Sequence, residues 1–138
     1  MKNILLDTNI IIDLLANREP FNQDALRLFS FADRGKVILF TSALSIANVS
    51  YVLSKQRNPE DTKQILRKLK LLVRVLSLDE KIINLALNDN EFRDFEDGLQ
   101  YYSAIENEID IIVTRNLKDF ENSKLAVMCA DQLNKIIE

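Results

Sequence analysis

The chain contains no histidine. That absence removes Ser-His-Asp and Cys-His catalysis, histidine general bases and histidine-rich zinc sites together. Glycine is nearly as scarce, with Gly35 and Gly98 the only two. A P-loop or a dinucleotide loop needs several glycines in a short stretch, so neither can be built. The single Cys129 can form no internal disulfide, which points to a reducing, cytoplasmic home. No apolar run approaches the roughly 20 residues of a membrane helix. The amino terminus passes from one Lys straight to Asp7, so neither a signal peptide nor a membrane association is expected. A net charge of −3 argues against holding nucleic acid by bulk positive field, though not against a local basic patch. Any enzyme made from this inventory works through carboxylates, with a metal ion as their natural companion.

What is present is the composition of an ordinary globular chain, 47% apolar and 28% charged over 138 residues, enough for one domain spanning 1–138 with a proper core. Five apolar runs of strand length, at 3–6, 37–40, 73–76, 111–113 and 125–128, alternate with helical patterns. Ala25, Leu28, Phe29 and Ala32 recur at helical spacing over 22–34, with Gly35 as the stop. "NPED" at 58–61 is a helix start: Asn58 caps, Pro59 suits the first position, and Glu60 and Asp61 favour the positive end of the dipole. Alternation of this kind predicts an α/β fold with a parallel sheet covered on both faces. In such sheets ligands bind off the carboxyl ends of the strands.

Polar groups gather at those ends. Asp7 interrupts two apolar segments in "LLDTNIIIDLL" (5–15). "TSALSIAN" carries Asn48, "DFEDG" supplies Asp94, Glu96 and Asp97, and "VTRNLKDF" offers Thr114, Asn116 and Asp119. Each has an ordinary structural alternative: Asp7 or Asp97 can cap a helix, and Asn116 or Asp119 can make a turn. If the strands are parallel neighbours, however, the sites converge on one edge. Carboxylates crowded there repel unless a cation separates them, and oxygen ligands without His or Cys favour Mg²⁺ or Mn²⁺. Lys63, Arg67 and Lys70 form a basic stripe on the helix after "NPED", with Lys55, Arg57, Lys68 and Arg74 around it; a solvated face explains it more simply than an RNA track. Arg115, next to the acids, is the better candidate for a phosphate contact. Tyr101 and Tyr102 read as packing or dimer contacts rather than base-stacking platforms.

Together, "LLDTNIIIDLL", "TSALSIANVSYVL" and "DFEDGLQYYSAIENEIDIIVTRNLKDF" resemble the PIN domain family, the VapC-like metal-dependent ribonucleases that act as toxins of toxin–antitoxin pairs. The resemblance covers essentially the whole chain, in order. It implies a three-layer α/β/α sandwich around a parallel sheet of about five strands. It further implies an endoribonuclease that hydrolyses RNA phosphodiesters, in which Asp7, Asp97 and Asp119 are catalytic and bind Mg²⁺ or Mn²⁺. Thr8, Asn9, Asp94, Glu96, Thr114 and Asn116 would support them, and a homodimer and a small antitoxin would be the protein partners. One departure stands out: where the family usually has Glu, this chain has Asn48. An amide oxygen can coordinate but brings no charge and cannot act as a base. Asn48 thus keeps open a second reading, a PIN-fold module with weakened catalysis that binds RNA or protein. A third, a haloacid-dehalogenase-like phosphatase, would need an acid at the position of Asn9.

Overall fold

The computed structural model describes residues 1–138. Five strands, β1 (Lys2–Leu6), β2 (Val37–Ser42), β3 (Val73–Leu76), β4 (Ile111–Val113) and β5 (Ala126–Met128), form one sheet in the order β3-β2-β1-β4-β5. Every neighbouring pair is parallel. The helices are α1 (Thr8–Leu15), α2 (Phe21–Asp33), α3 (Ala43–Leu53), α4 (Pro59–Leu69), α5 (Glu80–Leu87), α6 (Phe95–Glu106) and α7 (Ala130–Ile137), with a 3₁₀ turn at Leu117–Phe120. This is the α/β/α sandwich expected, and no helix is long and apolar enough to cross a membrane.

The central strands β1 and β4 are buried on both sides along their shared stretch because both sides are covered. In β1 the side chains of Ile4 and Leu6 join the larger core cluster with residues of α1, α2, α3, α4 and α7. Leu5, pointing the other way, packs with Tyr101 and Ala104 of α6. All three are fully buried, as a central strand between two helical layers requires. Tyr101 itself stacks on Phe92, and the Tyr102 hydroxyl donates to Asp89. Both tyrosines therefore belong to the packing of that layer. The basic stripe of Lys63, Arg67 and Lys70 lies on the exposed side of α4.

Helix boundaries follow their caps. Ser42, Asn58 and Asp79 each accept a backbone N–H three residues on, starting α3, α4 and α5. Asp94 accepts from the backbone N–H groups of Glu96 and Asp97, so α6 starts at Phe95. Because Asp94 is the cap, the carboxylate of Asp97 is released from that duty. After α2 the chain closes a Schellman turn, with Lys36 N–H bonded to Phe31 C=O and Gly35 at φ +75°. No atom lies within 4 Å of where a Gly35 β-carbon would sit, so only backbone strain opposes a side chain. Gly35→Ala should cost about 1 kcal/mol, the penalty of a left-handed non-glycine residue, read as a lower urea midpoint with an unchanged slope.

The order β3-β2-β1-β4-β5 reverses direction between β1 and β4. That reversal opens a crevice at the carboxyl ends of these two strands, the switch point where open α/β sheets hold their ligands. Asp7 follows β1 and Thr114 follows β4 directly.

Candidate active site

Asp7 is pinned at the crevice from three directions. Its backbone N–H bonds to Val113 C=O at 2.9 Å. One carboxylate oxygen accepts the Thr8 N–H at 2.8 Å and the other accepts the Thr114 hydroxyl at 2.8 Å. Thr114 is fully buried, and its Oγ1 also takes the Asn116 N–H at 3.0 Å, which aims the loop beyond β4. Asp7 does begin α1, as the structural alternative required, but its side chain spends one oxygen on Thr114 as well. Burial raises its pKa above the usual carboxylate value; the two hydrogen bonds oppose that rise, and the charges of Asp119 and Glu96 add to it.

A cleft of about 340 Å³ opens at this point, walled by Asp7, Asn9, Asn48, Asp97 and Asp119, with Thr8, Asp94, Glu96 and Asn116 also lining it. The acids arrive from three separate places in the chain: the end of β1, the first turn of α6 and the 3₁₀ turn. Half-buried Asp97 has a pKa pushed up to about 7, by burial first and then by the charges of Asp94, Asp119, Asp7 and Glu96. Asp119 is exposed at the rim.

Arg115 stands apart from this group. Its Nε and Nη2 bond to the two carboxylate oxygens of Asp13 at 2.8 and 3.1 Å, and its guanidinium lies over the Phe21 ring, 3.9 Å from the centroid. Asp13 is 1% exposed. The guanidinium is therefore committed to neutralising a buried charge in an adjoining cavity, and the cation that lines the acidic cleft is Arg18. Arg18 follows Asn17, which takes φ 53° just after α1. Nothing in the local sequence marks that turn as part of the site.

Beneath the cleft a polar network ties three helices together. The Thr8 hydroxyl donates to Ser45 Oγ at 2.8 Å, Gln100 Nε2 donates to the same oxygen at 2.6 Å, and Ser42 Oγ lies 3.3 Å away. Ser45 and Gln100 went unnoticed in the sequence. The only trace of the latter is its place three residues after Asp97, between Leu99 and Tyr101.

The chain as a whole is similar to known proteins. The sequence pattern of the PIN domain matches residues 3–118. The chain belongs to the PIN domain family. A curated relative, Ribonuclease VapC1 of Aquifex aeolicus (strain VF5), is 29% identical over 138 residues, covering 95% of this chain and 92% of that protein. Among solved structures, VapBC-1 from nontypeable Haemophilus influenzae superposes with a TM-score of 0.70 at 22% identity, over 94% of this chain and 98% of that one. A toxin–antitoxin complex from Klebsiella pneumoniae gives 0.67 at 20% identity, over 92% and 97%. At such identities the solved structures establish the fold alone.

The donor set of this PIN domain suits a hard divalent cation. Every polar ligand-type atom in the cleft wall except Arg18 belongs to a carboxylate, amide or hydroxyl group, and none is sulfur or imidazole. Two buried amide oxygens there, Asn9 Oδ1 and Gln100 Oε1, have no hydrogen-bond partner. The carboxylates by themselves do not close a cage, because no three acidic side chains cluster as a metal-holding group.

Proposed function

We propose that this chain is a divalent-metal-dependent endoribonuclease, a VapC-like toxin whose activity a small antitoxin restrains. The observation that carries this reading is the convergence of Asp7, Asp97 and Asp119 on one cleft at the switch point of a PIN domain. Mg²⁺ or Mn²⁺ would be held by these carboxylates with help from amide oxygens. Such an ion supplies water activated at neutral pH and stabilises charge on a phosphoryl oxygen. Asp7, clamped by Thr8 and Thr114, keeps a fixed orientation. Arg18 offers the cleft a positive charge for a substrate phosphate. Kinship with Ribonuclease VapC1 and the toxin–antitoxin assemblies of similar fold support the activity and the antitoxin partner. The chain would act as one domain in the cytoplasm, paired with a second copy of itself.

Incubating single-stranded and structured RNA with the protein and Mg²⁺, Mn²⁺ or EDTA tests the proposal. Internal cleavage that EDTA abolishes supports it. Metal-independent cutting, or none with either ion, refutes it.

The second reading, a binding module with weakened catalysis, rests on Asn48. Its side chain lines the acidic cleft yet brings no charge. Asn48→Glu should therefore tighten Mn²⁺ binding by roughly 10-fold, about 1.4 kcal/mol of added Coulomb attraction offset in part by repulsion in the metal-free protein. Calorimetry measures the affinity, and a rise in cleavage at limiting metal is expected with it. If the substituted protein binds no more metal and RNA stays intact, the binding-module reading takes precedence.

A further inference from the structure

Gln100 has the burial of a core residue and the chemistry of a ligand. It is 4% exposed on α6, one turn beyond Asp97 and therefore on the same side of the helix. Glutamine is seldom buried unless its polar atoms are partnered. Here only half of the amide is satisfied: Nε2 donates to Ser45 Oγ, and Oε1 accepts nothing. An orphaned buried acceptor destabilises a fold, and an apolar side chain of similar length would avoid the defect.

The surroundings account for the orientation. Ser45 is fully buried and takes the Thr8 hydroxyl as well as the Gln100 amide. With the nitrogen engaged by α3, the oxygen is left as the unpartnered end of a side chain that lines the cleft with Asp7, Asn48 and Asp97. A carbonyl-type oxygen without a donor is what a hard cation accepts as a neutral ligand. The same cleft carries a further amide at position 48, so neutral oxygen donors stand beside its carboxylates.

We propose that Gln100 Oε1 is an uncharged oxygen ligand of the cation in the acidic cleft, held in place by Ser45 and completing a set that the carboxylates alone leave open. This rests on the metal-dependent reading above and adds a residue to it. Ser45 and Thr8 then act as positioning residues, because their hydroxyl chain fixes which end of the amide faces the site.

The test is Mn²⁺ binding to the full chain, followed by calorimetry and by the electron paramagnetic resonance of free Mn²⁺, for the wild type, Gln100→Met and Gln100→Glu. Gln100→Met removes the oxygen while conserving length and should weaken Mn²⁺ binding by about 10-fold or more, as loss of a supporting group at a metal site does. The unfolding midpoint of its metal-free form should not fall, since the orphaned acceptor leaves together with the Ser45 hydrogen bond. Gln100→Glu keeps an oxygen, adds a charge and should bind Mn²⁺ at least as tightly as the wild type. Equal affinity in Gln100→Met and the wild type overturns the proposal. So does a parallel loss of stability and affinity in both variants, which would mark Gln100 as a packing residue. A wild type that binds no Mn²⁺ at all overturns the metal-dependent reading itself, and this inference falls with it.

Discussion

On the metal-dependent reading proposed above, Asp97→Asn should reduce Mg²⁺- or Mn²⁺-supported RNA cleavage by about 100-fold or more, since it would remove a charged metal ligand where loss of even a supporting group costs 10- to 100-fold. The same change should make the metal-free protein more heat-resistant at pH 8 and leave it little altered at pH 4. The reason lies in the crowding of the cleft. Burial first, and then Asp94, Asp119, Asp7 and Glu96, raise the Asp97 carboxyl to about 7, whereas an unfolded chain releases that proton near pH 4. A raised carboxyl favours the folded state fully below about pH 4, and that contribution is lost as pH rises through 7. Stability of the wild type should therefore decline across this window, and the Asn variant should lose part of the slope. Asp97 is only half-buried, so solvent screening keeps the effect modest. Thermal melts at pH 4, 6 and 8, in EDTA and in Mn²⁺, measure it. Added Mn²⁺ should restore stability to the wild type at pH 8 far more than to Asp97→Asn, because a bound ion stabilises only the state that binds it. A fall in the Asp97→Asn melting temperature at pH 8 would instead show that the carboxylate serves the fold.

Arg115→Ala should destabilise the protein by about 3 kcal/mol, the cost of leaving a buried charge without its partner. Asp13 is 1% exposed and receives both guanidinium bonds, so the substitution strands a carboxylate in the interior. It also removes the plate that lies over Phe21. Arg115→Lys should recover only part of the loss, because an ammonium cannot make the paired bonds or stack in the same way. Removing both charges with Asp13→Leu and Arg115→Met should come closer to the wild type than either single change, since a buried ion pair replaced by apolar residues is often neutral or stabilising. Urea unfolding of these variants measures this. If Arg115→Lys folds as stably as the wild type and yet loses RNA binding, the residue contacts phosphate, as its sequence neighbourhood suggested, and the pairing with Asp13 is incidental.

Most of the architecture was legible residue by residue. Each strand is a short apolar run bounded by polar groups, and β3 and β4 have the bounds read from the sequence. Burial on both faces forces continuous hydrophobicity, a signal that survives without tertiary knowledge. Caps such as Asn58 and Asp79 are local interactions, complete within four residues, so they too can be read directly. The start of α6 is less legible, because "DFED" offers two acids able to cap, and only the backbone geometry selects Asp94.

The site divides along the same line. Asp7, Asp97 and Asp119 could be named from the sequence because each lies just past a strand or in the first turn of a helix, near the edge where parallel sheets place their chemistry, whereas Asn48, in the middle of α3, is placed by the family resemblance. Only the tertiary structure decided what stands behind and beside them. Arg115 and Asp13 are 102 residues apart, and Gln100 and Ser45 are 55 apart. Such pairs depend on which helix face meets which strand end, and periodicity within one element carries no record of its neighbour across the core. The sequence by itself determined the elements, their order and the acids at their ends. Packing decided that Arg115 neutralises a buried aspartate, that Arg18 lines the cleft, and that the buried Gln100 amide is left with an unpartnered oxygen, since long-range contacts arise only once two layers close on the sheet.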